Sequence, residues 1–181
     1  DRYGAMFIFG WEMPASLTQF FNHFFIILFG SIFSVMWVKL SKIGKNPSIP
    51  LKFCFGIVQL ALGFLLTQVG FQFVNEAYQV PILTLVFLYM LHTTGELFLS
   101  PIGLSVVTKL SPKSMAGTGM GAWFLSFAIA NYVGGKIAAR TGGRGGGEVS
   151  SAEDGLLQYL DTFATIGYVL LAIAALIFVL N

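Results

Sequence analysis

The sequence predicts an all-α membrane protein with five transmembrane helices, and its composition and its apolar stretches both indicate this class. Hydrophobic residues make up 56% of the 181 residues and charged residues only 10%, against about 25% charged residues in ordinary soluble domains. Five apolar stretches are long enough to cross a bilayer, which takes about 20 residues in a helix. We therefore expect a multi-pass integral protein of the plasma (inner) membrane, in contact with the lipid bilayer.

The elements follow from the positions of the polar residues along the chain. Residues 1–14 contain Tyr3 and Trp11, which favour the level of the lipid headgroups, so this segment is predicted to be an extracytoplasmic lead-in at the membrane surface. Residues 15–181 then form the transmembrane bundle. Its spans are expected at about residues 15–38, 53–73, 81–108, 115–138 and 160–180.

Lysines indicate which loops face the cytoplasm. The loop 39–52 carries four lysines and no acid, and the loop 109–114 carries Lys109 and Lys113. Cytoplasmic loops of membrane proteins are enriched in Lys and Arg, so both loops are predicted to be cytoplasmic. Residues 139–159, which include the run GGRGGG, are interpreted as a flexible outward loop.

One carboxylate, Glu96, lies near the middle of the third predicted span. A charge at that depth costs roughly 2.5 to 3.5 kcal/mol on insertion scales. A water-filled cavity, a buried partner or a bound substrate usually offsets such a cost. We expect Glu96 to be the only carboxylate within a span and to belong to a functional site. The alternative is a kinked packing helix in which Glu96 is tied to a neighbouring side chain.

The sequence around Glu96 supports a binding site. His92 and Ser100 lie four residues to either side of it and therefore share its face of a helix. Pro101 lacks an amide hydrogen, so together with Gly103 it is predicted to kink or open the helix. Interrupted helices of this kind mark the binding sites of secondary transporters.

Further polar or aromatic residues lie in two other predicted spans. Gln19 and Asn22 are three residues apart and share a face of the first span, and Trp123 and Asn131 lie in the fourth. Each also has a purely structural interpretation. Asn22 and Gln19 could bond to a neighbouring helix, Trp123 could pack in the core, and His92 could donate to a backbone carbonyl.

Several functional classes find no support in the sequence. It contains no HExxH, Walker or GxSxG motif, so we predict no catalytic residues and no enzyme activity. Two histidines on different helices and a single cysteine, Cys54, do not supply the ligands of a metal site. Basic residues lie in short loops beside apolar spans, which argues against nucleic-acid binding. No cofactor is expected.

Four stretches resemble one transporter family in their order and spacing. They read FGWEMPASLTQFFN, KNPSIPLKF, GELFLSPIGLSVVTKLSP and GMGAWFLSFAIANYVGG. The chain up to about residue 138 resembles the C-terminal half of the proton-dependent oligopeptide transporters of the major facilitator superfamily. The resemblance implies that the five spans are the eighth to twelfth core helices, in the C-terminal bundle of a major facilitator fold.

The resemblance also implies roles for individual residues. Glu96 matches an acid that helps to hold the free amino terminus of a di- or tripeptide, and Asn22 matches an asparagine that also meets the peptide. Ser100 and Trp123 match polar and aromatic positions of the pocket. Protons would be the coupling ion, and an N-terminal helical bundle of the same protein, outside these 181 residues, would be the partner in alternating access.

One residue departs from the family pattern, and two other functions stay open. His23 stands where the family usually has a proline after the asparagine, so the geometry around Asn22 is expected to differ. The same scaffold could carry another solute, such as nitrate or a drug-like compound. The chain could also be a stand-alone structural or assembly fragment. A carboxylate where the substrate binds argues against an anion.

Overall fold

The computed structural model describes residues 6–8, 11–13, 18–74, 81–141 and 152–181. Five long helices account for most of them, which confirms the all-α class. Two three-residue strands, β1 (Met6–Ile8) and β2 (Trp11–Met13), pair antiparallel within the predicted lead-in, a detail that no pattern indicated. The helices are α1 (Thr18–Lys42), α2 (Ile49–Phe71), α3 (Ile82–Leu110), α4 (Ala116–Thr141) and α5 (Ala152–Val179).

The helices extend beyond the predicted spans at several ends. The loop predicted at 39–52 is shortened to residues 43–48, because α1 continues to Lys42 and α2 begins at Ile49. Lysines in the last turn of α1 interact favourably with its C-terminal dipole. Ser48 caps α2 by accepting a hydrogen bond from the amide of Leu51 at 3.3 Å.

The start of α5 was also predicted too late. The helix begins at Ala152 rather than at residue 160. Glu153 and Asp154 lie in its first turn, where negative charge stabilises the positive end of the helix dipole. The loop predicted at 139–159 is therefore shorter, since α4 reaches Thr141. The glycine run itself, at 142–147, lies outside the described residues.

Four of the described helices are long and apolar enough to cross a membrane. They are Gln19–Lys42, Ile49–Phe71, Ile82–Leu110 and Glu153–Val179. The helix α4 has 26 residues, about 39 Å at 1.5 Å per residue, but it is less apolar than the others. Its length suffices for a span, and its place as the fifth span stays a prediction.

The chain divides into two compact units, and the division falls within α3. The first unit comprises Asp1–Leu99 and Leu160–Asn181, and the second comprises Ser100–Tyr159. In the first unit α2 lies against α3 through three glycines at intervals of seven residues, which places them on one face of the helix. Gly56, Gly63 and Gly70 meet Gly95, His92 and Thr84, respectively.

The contacts between α2 and α5 in the first unit combine small residues with polar bonds. Ala61 is fully buried, and its carbonyl lies close to Gly167. The thiol of Cys54 donates to the carbonyl of Ala174 at 3.4 Å. Small residues let helix backbones approach closely, and polar side chains then bond across the contact. The helix α2 is thus held between α3 and α5.

Gln68 makes a second polar link between α2 and α5. Its Nε2 donates to the carbonyl oxygen of Leu160 at 2.7 Å. Replacing it by Met, which keeps the length but removes the donor, is expected to lower the free energy of unfolding by about 0.5 to 1.5 kcal/mol. Thermal unfolding of the detergent-solubilised protein measures this change. Gln72→Met, at the exposed C-cap of α2, is the control, and an equal loss in both variants would contradict the prediction.

Candidate functional site

Glu96 is the middle residue of α3, which runs from Ile82 to Leu110. Its neighbour Gly95 is buried against α2, whereas Glu96 is exposed. Within the part of the chain that the structure describes, its carboxylate has no hydrogen bond or ion pair. The alternative in which a neighbouring side chain ties Glu96 therefore finds no support among these residues.

Glu96 is not the only acid in a membrane-spanning helix, and that expectation was wrong. Asp161 already lies in the span predicted at 160–180, and the early start of α5 adds Glu153 and Asp154 to the same helix. All three lie in the first ten residues of α5, toward its N-terminal end, where a side chain reaches the headgroup level more easily. Among the described helices Glu96 is the acid at mid-length, so the argument from its depth still holds.

Asn22 on α1 is joined to α3 close to Glu96. The hydroxyl of Thr93 donates to Oδ1 of Asn22 at 2.6 Å. Thr93 is fully buried, Asn22 is half-buried, and Thr93 lies three residues before Glu96, about one helical turn. This bond agrees with the structural interpretation of Asn22 as a link between helices. Its contact with substrate stays a prediction.

Aromatic packing holds α1 against α3 further along the two helices. The rings of Phe33 and Trp37 meet the ring of Phe98 edge to face, with centroids 5.0 and 5.2 Å apart. The ammonium of Lys52, at the start of α2, lies 4.4 Å above the Trp37 ring. Each ring pair of this kind adds about 0.5 to 1.5 kcal/mol to the stability of the helix contact. These contacts set the position of α1 along α3 and thereby the position of Asn22.

His23, which stands where the family usually has a proline, does not interrupt α1. The helix is continuous from Thr18 to Lys42, whereas a proline at position 23 would remove an amide donor from it. Nδ1 of His23 lies 2.9 Å from the carbonyl oxygen of Gln19, so the tautomer protonated there donates to it. The side chain of Gln19 is exposed, and its predicted contact with substrate stays a prediction.

His92 does not share the environment of Glu96, although the two are four residues apart. Its ring lies against Gly63 and 4.5 Å from the ring of Phe64, on the α2 side of α3. One ring nitrogen is hydrogen bonded to the backbone of Leu60, while Nε2 is buried without a partner among the described residues. His92 therefore fits its structural interpretation, a histidine bonded to a backbone carbonyl.

The remaining predicted residues lie in the second unit. α3 is one continuous helix through Pro101, so an opening is not observed there, and a bend stays a prediction. Gly103 is buried beneath the Trp123 ring. The contact is so close that a Cβ at position 103 would lie 2.8 Å from Cζ2 of the indole. Ser100 and Trp123 are half-buried. Asn131 donates to the carbonyl of Phe127 in its own helix at 2.9 Å.

Comparison with known proteins identifies the family. The PTR2 profile of the POT family matches residues 6–142, which is more than half of the chain. The chain belongs to the POT family. Together with its apolar helices, this membership makes it an integral membrane protein of a transporter family.

Relatives of this POT-family chain are transporters by name. It is 39% identical over 129 residues to the uncharacterized transporter YclF of Bacillus subtilis (strain 168), covering 71% of this chain and 26% of that protein. It is 36% identical over 169 residues to dipeptide and tripeptide permease A of Edwardsiella piscicida, covering 93% and 34%, respectively. The chain thus spans about a third or less of the length of these relatives.

A solved structure shows the same fold. The crystal structure of a POT family transporter in complex with a thioalcohol-conjugated peptide superposes with a TM-score of 0.76 at 28% sequence identity. The match covers 97% of this chain and 33% of the other. This likeness extends over α5, so the fold of the last helix is that of a POT transporter.

Sequence reasoning missed Thr93, which lies next to the predicted residues. The polar run HTT just before Glu96 was visible in the sequence, but no spacing indicated that Thr93 rather than His92 would reach another helix. Helical wheels give the face of a residue within its own helix. They do not give the rotation of that helix against its neighbours, and this rotation selects Thr93 as the partner of Asn22.

Proposed function

We propose that this POT-family chain is the C-terminal portion of a proton-coupled di/tripeptide symporter, in which Glu96 binds the peptide amino terminus in a mid-membrane cavity. The observation that carries the proposal is the exposed carboxylate at the centre of α3, which has no hydrogen bond or ion pair with any residue that the structure describes. An acid at this depth needs a compensating positive charge or water. The ammonium group of a peptide supplies that charge.

The negative charge of Glu96 favours some substrates over others. A carboxylate attracts the ammonium end of a zwitterionic peptide and repels an anion such as nitrate. Asn22 is half-buried and bonded to Thr93, one turn of α3 before Glu96. Its side-chain amide can form hydrogen bonds with the polar ends or the backbone of a peptide. The names of relatives, dipeptide and tripeptide permeases, support the same substrate class.

Alternating access is proposed to involve a second bundle. The chain covers 34% of permease A and 33% of the peptide-bound structure, so most of a typical relative lies outside it. In secondary transporters of this kind, two bundles rock about a site near the bilayer midplane. The N-terminal bundle of the same protein is the proposed partner, and protons are the proposed coupling ion.

Uptake into liposomes tests the proposed function. The full-length gene product that contains this chain, reconstituted with an imposed proton gradient, is expected to accumulate labelled dialanine, and the 181 residues on their own are not. Excess unlabelled dipeptide is expected to compete, whereas nitrate is not. An uncoupler that collapses the gradient is the control and should abolish accumulation. Competition by nitrate, or no peptide uptake by the full-length protein, would overturn the proposal.

A further inference from the structure

Thr93 combines complete burial with a hydrogen bond to another helix. It is fully buried, and it is the largest side chain among the described residues to be so. Its hydroxyl donates to Oδ1 of Asn22 at 2.6 Å, between α3 and α1. A buried hydroxyl that loses its partner carries a desolvation cost, so loss of this bond would leave the Thr93 hydroxyl unsatisfied.

The adjacent Thr94 shows what a threonine in this helix does by default. Its hydroxyl donates to the carbonyl oxygens of Met90 and Leu91 in its own helix, at 2.8 and 3.2 Å. Such bonds to the preceding turn are the usual pattern for threonine within a helix. Thr94 is also buried. The two neighbours therefore share size, burial and helix, and they differ in whether the hydroxyl leaves the helix.

The bond from Thr93 constrains the amide of Asn22. A terminal amide has an acceptor end and a donor end of almost the same shape, and the hydrogen-bond network decides which end points where. With Oδ1 held by Thr93, the Nδ2 donors point elsewhere, and they have no partner among the described residues. With the Thr93 hydroxyl donating to Oδ1, a bound molecule meets the Nδ2 end of this amide.

We propose that Thr93 is a positioning residue for substrate binding, which fixes the orientation of the Asn22 amide and acts on the substrate only through it. The inference rests on the proposed function, since it takes Asn22 as a residue that meets the peptide. An amide that is already oriented does not have to be ordered when the ligand binds, so affinity is gained without a direct contact.

Three variants of the full-length protein test this role by peptide uptake at increasing dipeptide concentration. Thr93→Val keeps the shape and removes the hydroxyl, and it is expected to raise KM by about three- to tenfold, the worth of one neutral hydrogen bond, with the maximal rate nearly unchanged. Thr93→Ser is expected to restore KM. Thr94→Val is the matched control and should leave KM within about twofold, because it loses only bonds within its own helix.

A double-mutant cycle separates positioning from a general structural role. In an Asn22→Ala background, Thr93→Val is expected to raise KM no further, because the residue that it orients is already gone. An unchanged KM in Thr93→Val, or the same increase with and without Asn22, would overturn the proposal. If Thr93→Val does not reach the membrane, Thr93→Cys, a weak donor, replaces it with the same expected direction. Lack of dipeptide uptake by the unmutated protein would instead overturn the proposed function.

Discussion

Glu96→Gln in the full-length protein is expected to abolish or uncouple peptide uptake while membrane insertion stays normal. Glutamine keeps the size of the side chain and its capacity for hydrogen bonds but removes the negative charge that meets the peptide ammonium. A hydrogen bond to a charged group contributes about 1.5 to 3 kcal/mol, which corresponds to a roughly ten- to hundredfold loss of uptake efficiency. Proton-driven uptake of labelled dialanine into liposomes measures this loss.

The matched control for this variant is Asp161→Asn. It makes the same chemical change at an exposed acid near the start of α5, so it tests whether any loss of negative charge in a membrane helix impairs uptake. Near-normal uptake is expected from it. If Glu96→Gln also accumulated peptide normally under a proton gradient, Glu96 would have no part in the mechanism.

Exchange of peptide across the membrane distinguishes a substrate role of Glu96 from a proton-coupling role. If the carboxylate only binds the ammonium group, Glu96→Gln should lose exchange of labelled against unlabelled peptide together with accumulation. If it carries the coupling proton, exchange should persist while gradient-driven accumulation is lost. The negative charge of Glu96 is present in both mechanisms. Only proton coupling requires that the carboxylate be protonated once in each transport cycle.

The fold class and the number of helices could be predicted from the sequence, since both depend on hydropathy along the chain. The helix ends could not be placed as well, because charged residues end an apolar run without ending a helix. Lys39 and Lys42 extend α1 beyond its apolar residues by matching the helix dipole, and Glu153 and Asp154 extend α5 at its start in the same way.

The site residues stay predictions, and the side-chain environments that the sequence did not reveal have one cause. Glu96 and Asn22 stand out because polar groups are rare in apolar spans, a feature that needs no knowledge of neighbouring helices. The environments of His92 and Thr93 depend on how α3 is rotated against α1 and α2. That rotation is set by close approach at glycines such as Gly63 and Gly95, and a spacing of four residues within one helix does not reveal it.

Gly95→Ala is expected to destabilise the protein although it adds one methyl group. A Cβ at position 95 would lie 2.8 Å from the carbonyl oxygen of Gly56 and 3.1 Å from Cγ of Leu60. The carbonyl is backbone within α2 and cannot rotate away, so the two helices have to separate. Inserting a methyl group into a close-packed contact costs about 1 to 3 kcal/mol. The thermal unfolding midpoint of the solubilised full-length protein is expected to fall accordingly.

Gly117→Ala is the control, because a Cβ there meets nothing within 4 Å among the described residues. Alanine is favoured over glycine by about 1 kcal/mol in a helix interior and by less in the first turn of α4, where Gly117 lies, so this variant should unfold at the same or a slightly higher temperature. At position 95, in the interior of α3, alanine also gains helix propensity. The measured loss of stability there is therefore the cost of the clash minus that gain. Equal or greater stability of Gly95→Ala would show that α2 and α3 do not approach as closely as the structure has them. Because Gly95 precedes Glu96, the placement of the acid would then need another explanation.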